Sequence, residues 1–324
     1  MTKAIVLHKT GGPEVLCWET ITDPVPDPGE VLVRHEAVGL NYIDIYHRSG
    51  LYPLPALPAV IGMEGAGVVV SLGSGVEGFA VGDRVAYAAA PPGAYCQLRA
   101  ISAKSLVRLP ADISFQQAAA MMLKGLTAEY LLFRTHKLVP GQTVLVHAAA
   151  GGMGLILCQW ARHLGARVIG TVGSQQKADL AKRHGCHEVI FYRRENFARR
   201  VQEITSGQGA DVVYDAVGRD TFEGSLESLA LFGHLVMYGQ ASGPVPSFDP
   251  ARLGAKSACL TRPVLFHYTQ DRSTLESMAV NLFQSIKNKI VSIKIGGEYP
   301  LAEASRAHAD LESRRTSGSI VLLP

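Results

Sequence analysis

The stretch VLVHAAAGGMGLILCQWAR (144–162) joins an apolar strand-like segment to a helix-like segment through a loop of small residues. Its spacing matches the three-glycine fingerprint of a pyrophosphate site, with Ala149 in the first glycine position, then Gly151 and Gly154. Ala149 can still make the tight turn, Gly151 lets the backbone approach an anion, and Gly154 lets the helix pack closely on the strand. A purely structural turn is the alternative. The predicted dinucleotide contacts in this loop are Ala149, Gly151, Gly152, Met153 and Gly154.

The residues after the next strand-like segment, in RVIGTVGSQQKAD (167–179), indicate which dinucleotide is bound. An NAD site places an acid about 20 residues beyond the glycine loop, on the ribose hydroxyls. Here the first acid is Asp179, already inside the next helix-like segment. A glycine, a serine and a lysine precede it, which leaves room for a 2′-phosphate and offers a cation for its charge. The sequence therefore favours NADPH. The residues predicted to contact the 2′-phosphate are Gly173, Ser174, Lys177 and Tyr192.

The elements that position these loops alternate between strand-like and helix-like from residue 143 to residue 239. For example, RVIGTV precedes the helix-like QKADLAKRHG, and FEGSLESLALFG (222–233) is predicted to be a helix before the strand HLVMYG (234–239). Strands that alternate with helices of about 10–15 residues predict βαβ units. We therefore predict an α/β fold with a doubly wound parallel sheet.

The rest of the chain has a different pattern. Up to about residue 120, short β-like runs are separated by glycine and proline, which is typical of a β-barrel or sandwich. The tail predicts a helix near 272–288, a strand, turn and helix around Pro300, and a closing strand SIVLLP. We expect the tail to pair with the N-terminal β unit, so that the nucleotide-binding domain is an insertion. The predicted domains are residues 1–124 with 265–324 for catalysis and residues 125–264 for NADPH binding.

The composition is that of an ordinary soluble protein, with 324 residues of which 47% are hydrophobic and 18% charged. The net charge of +3, from 31 basic and 28 acidic residues, is too small to indicate a nucleic acid or an anionic membrane as partner. The uncharged stretch 138–161 contains Pro140, His147 and glycines, so a buried strand and helix explain it better than a membrane span. Five scattered cysteines predict reduced thiols, and the short apolar run before His8 indicates no secretory signal. We therefore expect a cytoplasmic protein.

Several motifs resemble one family along essentially the whole chain. They are HKTGGPEVL (8–16), GLNYIDIYHRSGLYP (39–53), GMEGAGVV (62–69), LKGLTAEYLL (123–132), HAAAGGMG (147–154), YDAVG (214–218) and the closing AHADLESRRTSGSIVLLP. With them the chain resembles the medium-chain dehydrogenase/reductase superfamily, and within it the quinone oxidoreductases of the zeta-crystallin type. The resemblance implies a Rossmann domain inserted in a GroES-like β-barrel catalytic domain, and NADPH as the cofactor.

Zinc dehydrogenases of this superfamily bind a catalytic metal through a Cys, a Gly-His-Glu motif and a second Cys. By the resemblance, the matching positions here hold Asn41, Met63 and Lys124. Zinc prefers thiolate, imidazole or carboxylate ligands, so an amide, a thioether and an ammonium do not suit it. We predict that no metal is bound. Glu64 keeps the family's acid, and we expect it to be structural and to bond a neighbouring basic group.

The loss of the metal bears on the substrate. A metal stabilises the alkoxide that develops when a plain carbonyl accepts hydride, whereas a quinone or activated enone spreads that charge by conjugation. We expect the substrate in a cleft between the domains, with Tyr46 and Tyr52 stacked on a planar quinone or, alternatively, serving only as packing. The candidate catalytic residues are Asn41, Asp44, Tyr46, Tyr52, Lys124 and Arg262. Further cofactor contacts implied by the resemblance are Thr127, Ala216, Val217, Gly218, Tyr238 and Gly239.

Three functions remain open at this point. The first is an NADPH:quinone oxidoreductase. The second is an NADPH-dependent enone or 2-alkenal reductase, which needs a proton donor at the α-carbon that the sequence does not show. The third is an NADPH-binding protein with a structural or RNA-binding role, against which the near-neutral charge and the single basic cluster RRENFARR (193–200) argue. The resemblance also implies a homodimer that pairs through the Rossmann sheet edge, with HLVMYG compatible with that role.

Overall fold

The computed structural model describes the whole chain, from Met1 to Pro324. The chain divides into two compact units. Unit 1 comprises Met1–Leu126, Phe266–Phe283 and Ile293–Pro324, and unit 2 comprises Thr127–Leu265 and Gln284–Ser292. None of the helices combines the length and the apolar character that a membrane span requires.

Strands and helices account for most of the chain. The strands are β1 (Thr2–Leu7), β2 (Leu16–Ile21), β3 (Glu30–Leu40), β4 (Ala59–Val60), β5 (Glu64–Leu72), β6 (Arg84–Ala88), β7 (Leu98–Ser102), β8 (Val107–Arg108), β9 (Thr143–Val146), β10 (Arg167–Val172), β11 (Glu188–Phe191), β12 (Ala210–Asp215), β13 (Leu229–Met237), β14 (Cys259–Thr261), β15 (Ile295–Pro300) and β16 (Ser319–Leu323). The α-helices are α1 (Tyr42–Ser49), α2 (Phe115–Tyr130), α3 (Gly152–His163), α4 (Gln175–Arg183), α5 (Phe197–Ile204), α6 (Phe222–Ser228), α7 (Leu265–Tyr268), α8 (Arg272–Lys287) and α9 (Ala304–Glu312).

Unit 1 contains two sheets of mostly antiparallel strands. One has the order β2-β1-β4, and the other has the order β15-β16-β3-β5-β6-β8, with β7 also paired to β3. Val31 and Val33 on β3 are fully buried and pack in one core with Val69 and Val85 of the neighbouring strands. The prediction for the tail is confirmed, because β16 pairs antiparallel with β3 and brings Ile320 opposite the end of that strand.

Unit 2 is a six-stranded parallel sheet in the order β11-β10-β9-β12-β13-β14. The predicted doubly wound sheet is therefore confirmed. The chain runs outward from β9 to β11, then returns to the other side of β9 with β12, so the strand order reverses between β9 and β12. Ligands of such sheets bind beyond the carboxyl ends of the strands at this reversal. Leu145, Ile169, Ile190 and Val213 form the buried centre of the sheet.

The prediction of a helix over 222–233 is wrong in its second half. α6 ends at Ser228, and the residues that follow already belong to β13, which pairs in parallel with β12. Leu231 and Phe232 are 70% and 79% exposed, so apolar residues that suggested a buried helix face lie at the surface. HLVMYG is also not an edge strand as the pairing expectation requires. It lies between β12 and β14, and β14 forms the edge.

Candidate active site

A buried cluster of polar side chains lies in unit 1 at the positions that match the metal ligands of the zinc dehydrogenases. Asn41 immediately precedes α1, Glu64 begins β5, and Lys124 lies on α2. The Lys124 ammonium donates to Asn41 Oδ1 at 2.6 Å and lies 3.6 Å from Glu64 Oε2. Asn41 Nδ2 donates to the same Glu64 oxygen at 2.8 Å. The ion pair confirms the expectation that Glu64 bonds a neighbouring basic group.

The backbone around this cluster is built to hold Glu64. The amide of Leu123 donates to Glu64 Oε1 at 2.8 Å. A Cβ on Gly39 would lie 2.2 Å from Glu64 Oε2 and 2.2 Å from the carbonyl oxygen of Ala119, so only glycine fits there. Burial raises the pKa of Glu64, and the charge of Lys124 opposes that rise.

The side chains at these positions are not suitable ligands for a divalent metal ion. The amide oxygen of Asn41 already accepts from an ammonium, and that ammonium brings positive charge to the place where a cation would sit. Met63 is 2% exposed and offers only a neutral thioether. No group of three or more His, Cys, Asp or Glu side chains in the structure is arranged to hold a metal.

Asp44, in the first turn of α1, is a fully buried carboxylic acid beside this cluster. Its Oδ2 accepts from the backbone amide of Asn41 at 2.8 Å and from the Tyr95 hydroxyl at 3.1 Å, whereas its Oδ1 has no hydrogen-bond partner. Burial raises the pKa of Asp44 to about 7, and the two hydrogen bonds oppose that rise. A carboxyl group of this kind exchanges a proton near neutral pH.

Sequence analysis missed the residues that support Asp44. The Tyr95 hydroxyl lies 3.0 Å from His308 Nε2, and Arg48 Nη1 donates to His308 Nδ1 at 3.2 Å. Arg48 also makes two bonds to Glu312, of 2.9 and 2.7 Å, and so ties α1 to α9. Because Arg48 donates to Nδ1, the proton of neutral His308 is on Nε2 and points to Tyr95. Burial lowers the pKa of His308 to about 3. Tyr95 and the α9 residues His308 and Glu312 lie far from Asp44 in the sequence, so no local pattern could identify this group.

The two predicted tyrosines lie close together. The ring centroids of Tyr46 and Tyr52 are 5.1 Å apart with the rings edge to face, and the Tyr52 amide donates to the Tyr46 carbonyl at 3.0 Å. Tyr46 is buried, Tyr52 is half-buried, and the ring of His47 lies 6.0 Å from that of Tyr52. The structure thus places aromatic surface on α1 and just after it, in the segment that also carries Asn41 and Asp44.

In unit 2, the predicted pyrophosphate loop connects β9 to α3. Gly151 is the N-cap of the 12-residue helix α3, which begins at Gly152 and continues through Met153, so the first amides of the helix are directed at the loop. A Cβ on Gly154 would lie 2.4 Å from the Ala148 carbonyl oxygen, so at this glycine the helix lies close against the turn that follows β9, rather than against the strand itself as predicted. The tight turn was assigned to Ala149, and this is corrected: the left-handed residue is Ala148, with φ of 51°.

The residues predicted for the 2′-phosphate lie together after β10. Ser174 caps α4 by accepting from the Lys177 amide at 3.4 Å, so its hydroxyl also has a structural role. A Cβ on Gly173 would lie 2.9 Å from the Tyr192 hydroxyl. Lys177 is half-buried, and burial together with the charge of Arg193 lowers its pKa. Arg193 lies over the ring of Tyr192, 6.0 Å from its centroid, and adds a second cation from the basic cluster 193–200.

The loop after β12 is held internally. The amides of Val217 and Gly218 donate to Asp215 Oδ1 at 2.7 and 3.0 Å, and the carbonyls of Ala216 and Val217 accept from the amides of residues 241 and 242. These two amides and two carbonyls therefore already make hydrogen bonds within the protein.

The remaining predicted residues are placed as follows. Arg262 donates to the carbonyls of Met237 and Gly239 at 2.9 and 3.3 Å, and thus holds the turn that contains Tyr238. Thr127 is buried in α2.

Two family models match the chain. The alcohol dehydrogenase GroES-like domain matches residues 27–143, and the zinc-binding dehydrogenase model matches residues 152–284. The fold and these matches define a medium-chain dehydrogenase/reductase, in which the residues at the zinc positions no longer suit zinc.

The similar proteins are more specific. The chain is 52% identical to a quinone oxidoreductase of Pseudomonas aeruginosa, with 100% of both chains covered. It is 46% identical to a 2-haloacrylate reductase of a Burkholderia species, over 100% of this chain and 99% of the relative. Among solved structures, the quinone oxidoreductase of Escherichia coli complexed with NADPH has a TM-score of 0.97 at 47% identity, over 99% of this chain and 100% of that chain. The chain belongs to the quinone oxidoreductase family, whose members are oxidoreductase enzymes.

Proposed function

We propose that this protein reduces quinones with NADPH and without a metal. The observation that carries the proposal is the buried ammonium of Lys124, hydrogen-bonded to Asn41, at the position that matches the metal site of the zinc dehydrogenases. NADPH supplies the hydride when it is bound. Lys124 offers positive charge and N–H donors to an acceptor oxygen as negative charge develops on it. Tyr46 and Tyr52 offer aromatic surface for a planar ring, which helps to orient the acceptor.

We assign the cofactor site to the ends of β9, β10 and β12. The glycine loop at 149–154 is proposed to hold the pyrophosphate. Lys177, Tyr192 and the adjacent Arg193 are proposed to bind the 2′-phosphate, because a half-buried lysine and a second cation lie together with no acid in the position of an NAD site. The residues of the next two loops, 216–218 and 238–239, and Thr127 and Arg262 are proposed to pack around the nicotinamide half.

Three further features belong to the same proposal. The catalytic role is assigned to residues 1–124 with 265–324, and the NADPH-binding role to residues 125–264. The protein is proposed to work in the cytoplasm, since its cysteines are all free thiols. It is also proposed to form a homodimer through unit 2, where the exposed Leu231 and Phe232 lie side by side at the start of β13.

An enone reductase is the second candidate. It is supported by the 46% identity to a 2-haloacrylate reductase and by Asp44, a buried carboxyl group with a pKa of about 7. Reduction of an alkene requires a proton at the α-carbon, and such a group is a suitable proton store. A panel of para- and ortho-quinones, 2-alkenals and 2-haloacrylates, followed by the loss of NADPH absorbance, separates the two functions. Preference for the alkenes would contradict the quinone proposal.

The role of Lys124 is tested by Lys124→Met, which keeps much of the length and removes the charge. We expect kcat/KM for a quinone to fall on the order of 100-fold, as when one donor to a developing oxyanion is removed, while the Kd for NADPH stays within about twofold. Lys104→Met, at an exposed lysine of the same unit, is the control. An unchanged kcat/KM in the Lys124 variant would rule out a catalytic role for its ammonium.

A further inference from the structure

A chain of buried polar side chains runs behind the pyrophosphate loop and begins at its strained residue. Ala148 has φ of 51°, a left-handed conformation that is unfavourable for any residue with a Cβ. Its carbonyl accepts from the Gly151 amide at 2.9 Å, so the loop folds back on this turn. Its amide donates to the Thr171 hydroxyl, at the end of β10, at 3.2 Å. The turn is therefore held from both sides.

The series of hydrogen-bonded side chains continues from Thr171 into the sheet. Thr171 Oγ1 lies 3.1 Å from His147 Nδ1, and His147 Nε2 lies 3.0 Å from the Ser225 hydroxyl on α6. Ser225 donates in turn to Asp215 Oδ2 at 2.8 Å, at the end of β12. All four side chains are at most 2% exposed, so each hydrogen bond is made away from water.

The direction of every hydrogen bond in the series follows from the last of them, between Ser225 and Asp215. A carboxylate only accepts, so Ser225 gives its proton to Asp215 and must accept from His147 Nε2–H. His147 Nδ1 then carries no proton and accepts from Thr171, whose oxygen is left to accept from the Ala148 amide. Burial lowers the pKa of His147, against the opposing effect of the Asp215 charge, and so favours the neutral ring that this order requires. Bonds aligned in one direction polarise and strengthen one another.

Asp215, at the far end of this series of hydrogen bonds, holds a second loop. Asp215 Oδ1 accepts from the amides of Val217 and Gly218 at 2.7 and 3.0 Å. A single network thus joins the turn after β9, the end of β10 and the loop after β12, the three places at which we assign the cofactor.

We propose that Thr171, His147, Ser225 and Asp215 are positioning residues that hold the left-handed turn at Ala148 and so preform the pyrophosphate loop for NADPH. The inference rests on the proposed function for the identity of the ligand. The four side chains are buried, so we place none of them in contact with the cofactor. They act through the backbone of the loop, since the turn at Ala148 fixes where the amides of Gly151 and Gly152 are directed.

Thr171 is the residue to change, because its hydroxyl and its methyl group can be removed separately. Thr171→Val keeps the shape and removes the hydroxyl, and Thr171→Ser keeps the hydroxyl. We expect Thr171→Val to raise the Kd for NADPH, measured by fluorescence titration, about tenfold, the usual effect of losing one buried hydrogen bond. Thr171→Ser is expected to stay within about twofold.

A second substitution separates this role from a general role in the core. Glycine adopts a left-handed turn without strain, so Ala148→Gly no longer needs the Thr171 hydroxyl to hold the turn. In the Ala148→Gly background, Thr171→Val is expected to change the Kd less than about twofold. An equal effect in both backgrounds, or no effect of Thr171→Val on the wild-type Kd, overturns the proposal.

Thermal unfolding of the cofactor-free protein is the second readout. If Thr171→Val alone does not fold, the proposal expects Ala148→Gly to restore folding in the double variant, and failure of the double variant overturns it. Failure of the wild-type protein to bind NADPH is a different result. It would contradict the proposed function, whereas wild-type binding with an indifferent Thr171→Val contradicts only this inference.

Discussion

Asp44 links the proposed active site to the pH dependence of stability. Its pKa is about 7 in the folded protein against 3.8 for the free group, so folding takes up a proton. The contribution of Asp44 to the free energy of unfolding is zero below pH 3.8. It becomes unfavourable as pH rises from 3.8 to 7 and levels off above pH 7. At the plateau it costs on the order of 4 kcal/mol, at about 1.4 kcal/mol per pKa unit.

We therefore expect Asp44→Asn to gain stability relative to the wild type as pH rises from acid to neutral. Asparagine keeps an oxygen that accepts from the Asn41 amide and Tyr95, but it carries no charge to desolvate. Denaturant unfolding at several pH values measures the difference between the two proteins. Asp112→Asn, at an exposed aspartate, is the control and should show no such trend. A difference that stays constant with pH would contradict the raised pKa.

Lys177 is the residue that we propose to set the choice between NADPH and NADH. We expect Lys177→Ala to raise KM for NADPH about 10- to 100-fold, since a charge-assisted hydrogen bond to phosphate is lost. KM for NADH, which has no 2′-phosphate, should not change. Lys182→Ala, at an exposed lysine on the same helix, provides the comparison. Equal losses with both cofactors would mean that Lys177 supports the fold rather than the phosphate.

For individual residues, the sequence could predict those features that depend on neighbours along the chain. The glycine spacing of residues 149–154 and the missing acid before Asp179 are fixed by chain neighbours, so a pattern could reveal them. The partners of Asp44 could not be predicted, because Tyr95 and His308 reach it only through the pairing of distant strands and helices. Ala148 was missed because alanine gives no sign in the sequence of a left-handed conformation.

Among the elements, α3 shows how tightly a helix can be placed against the turn that precedes it. A Cβ at Gly154 would lie 2.4 Å from the Ala148 carbonyl oxygen and 2.7 Å from Ala149 Cα, both of them backbone atoms that cannot move aside. We expect Gly154→Ala to displace α3, to reduce the free energy of unfolding by about 1–3 kcal/mol and to weaken NADPH binding.

The control for that substitution is Gly254→Ala. A Cβ at Gly254 meets no atom within 4 Å, so this variant should unfold at or slightly above the wild-type temperature. Thermal unfolding and fluorescence titration measure both variants. If Gly154→Ala behaves like Gly254→Ala, the close packing of α3 is not needed for the loop.

β13 shows where the prediction of elements fails. Residues 229–233 were predicted as part of a helix because leucine and phenylalanine recur there, but they begin β13, in which Leu229 and residues 234–237 pair in parallel with β12. The strands β9, β10 and β12 were predicted well, since a strand buried on both faces is a continuous apolar run between glycine-rich turns.

For the whole molecule, the proposed homodimer is the property most open to test. We expect the double variant Leu231→Asp with Phe232→Asp to sediment as a monomer, because two charges would have to be buried in the interface. Val81→Asp changes an exposed apolar residue of unit 1 and should leave the assembly intact. A wild-type protein that sediments as a monomer would contradict the proposed dimer.

The pairing of β16 with β3 has a consequence for how the protein is made. A ribosome releases the chain from the N-terminus, so β3 emerges long before Ile320, which pairs opposite Leu40. Most of unit 2, from Thr127 to Leu265, is synthesised in the interval. The six-stranded sheet can therefore form during translation, whereas the large sheet of unit 1 is completed only after β16 has been synthesised. The nascent enzyme is expected to complete its NADPH-binding fold before it completes the sheet of unit 1.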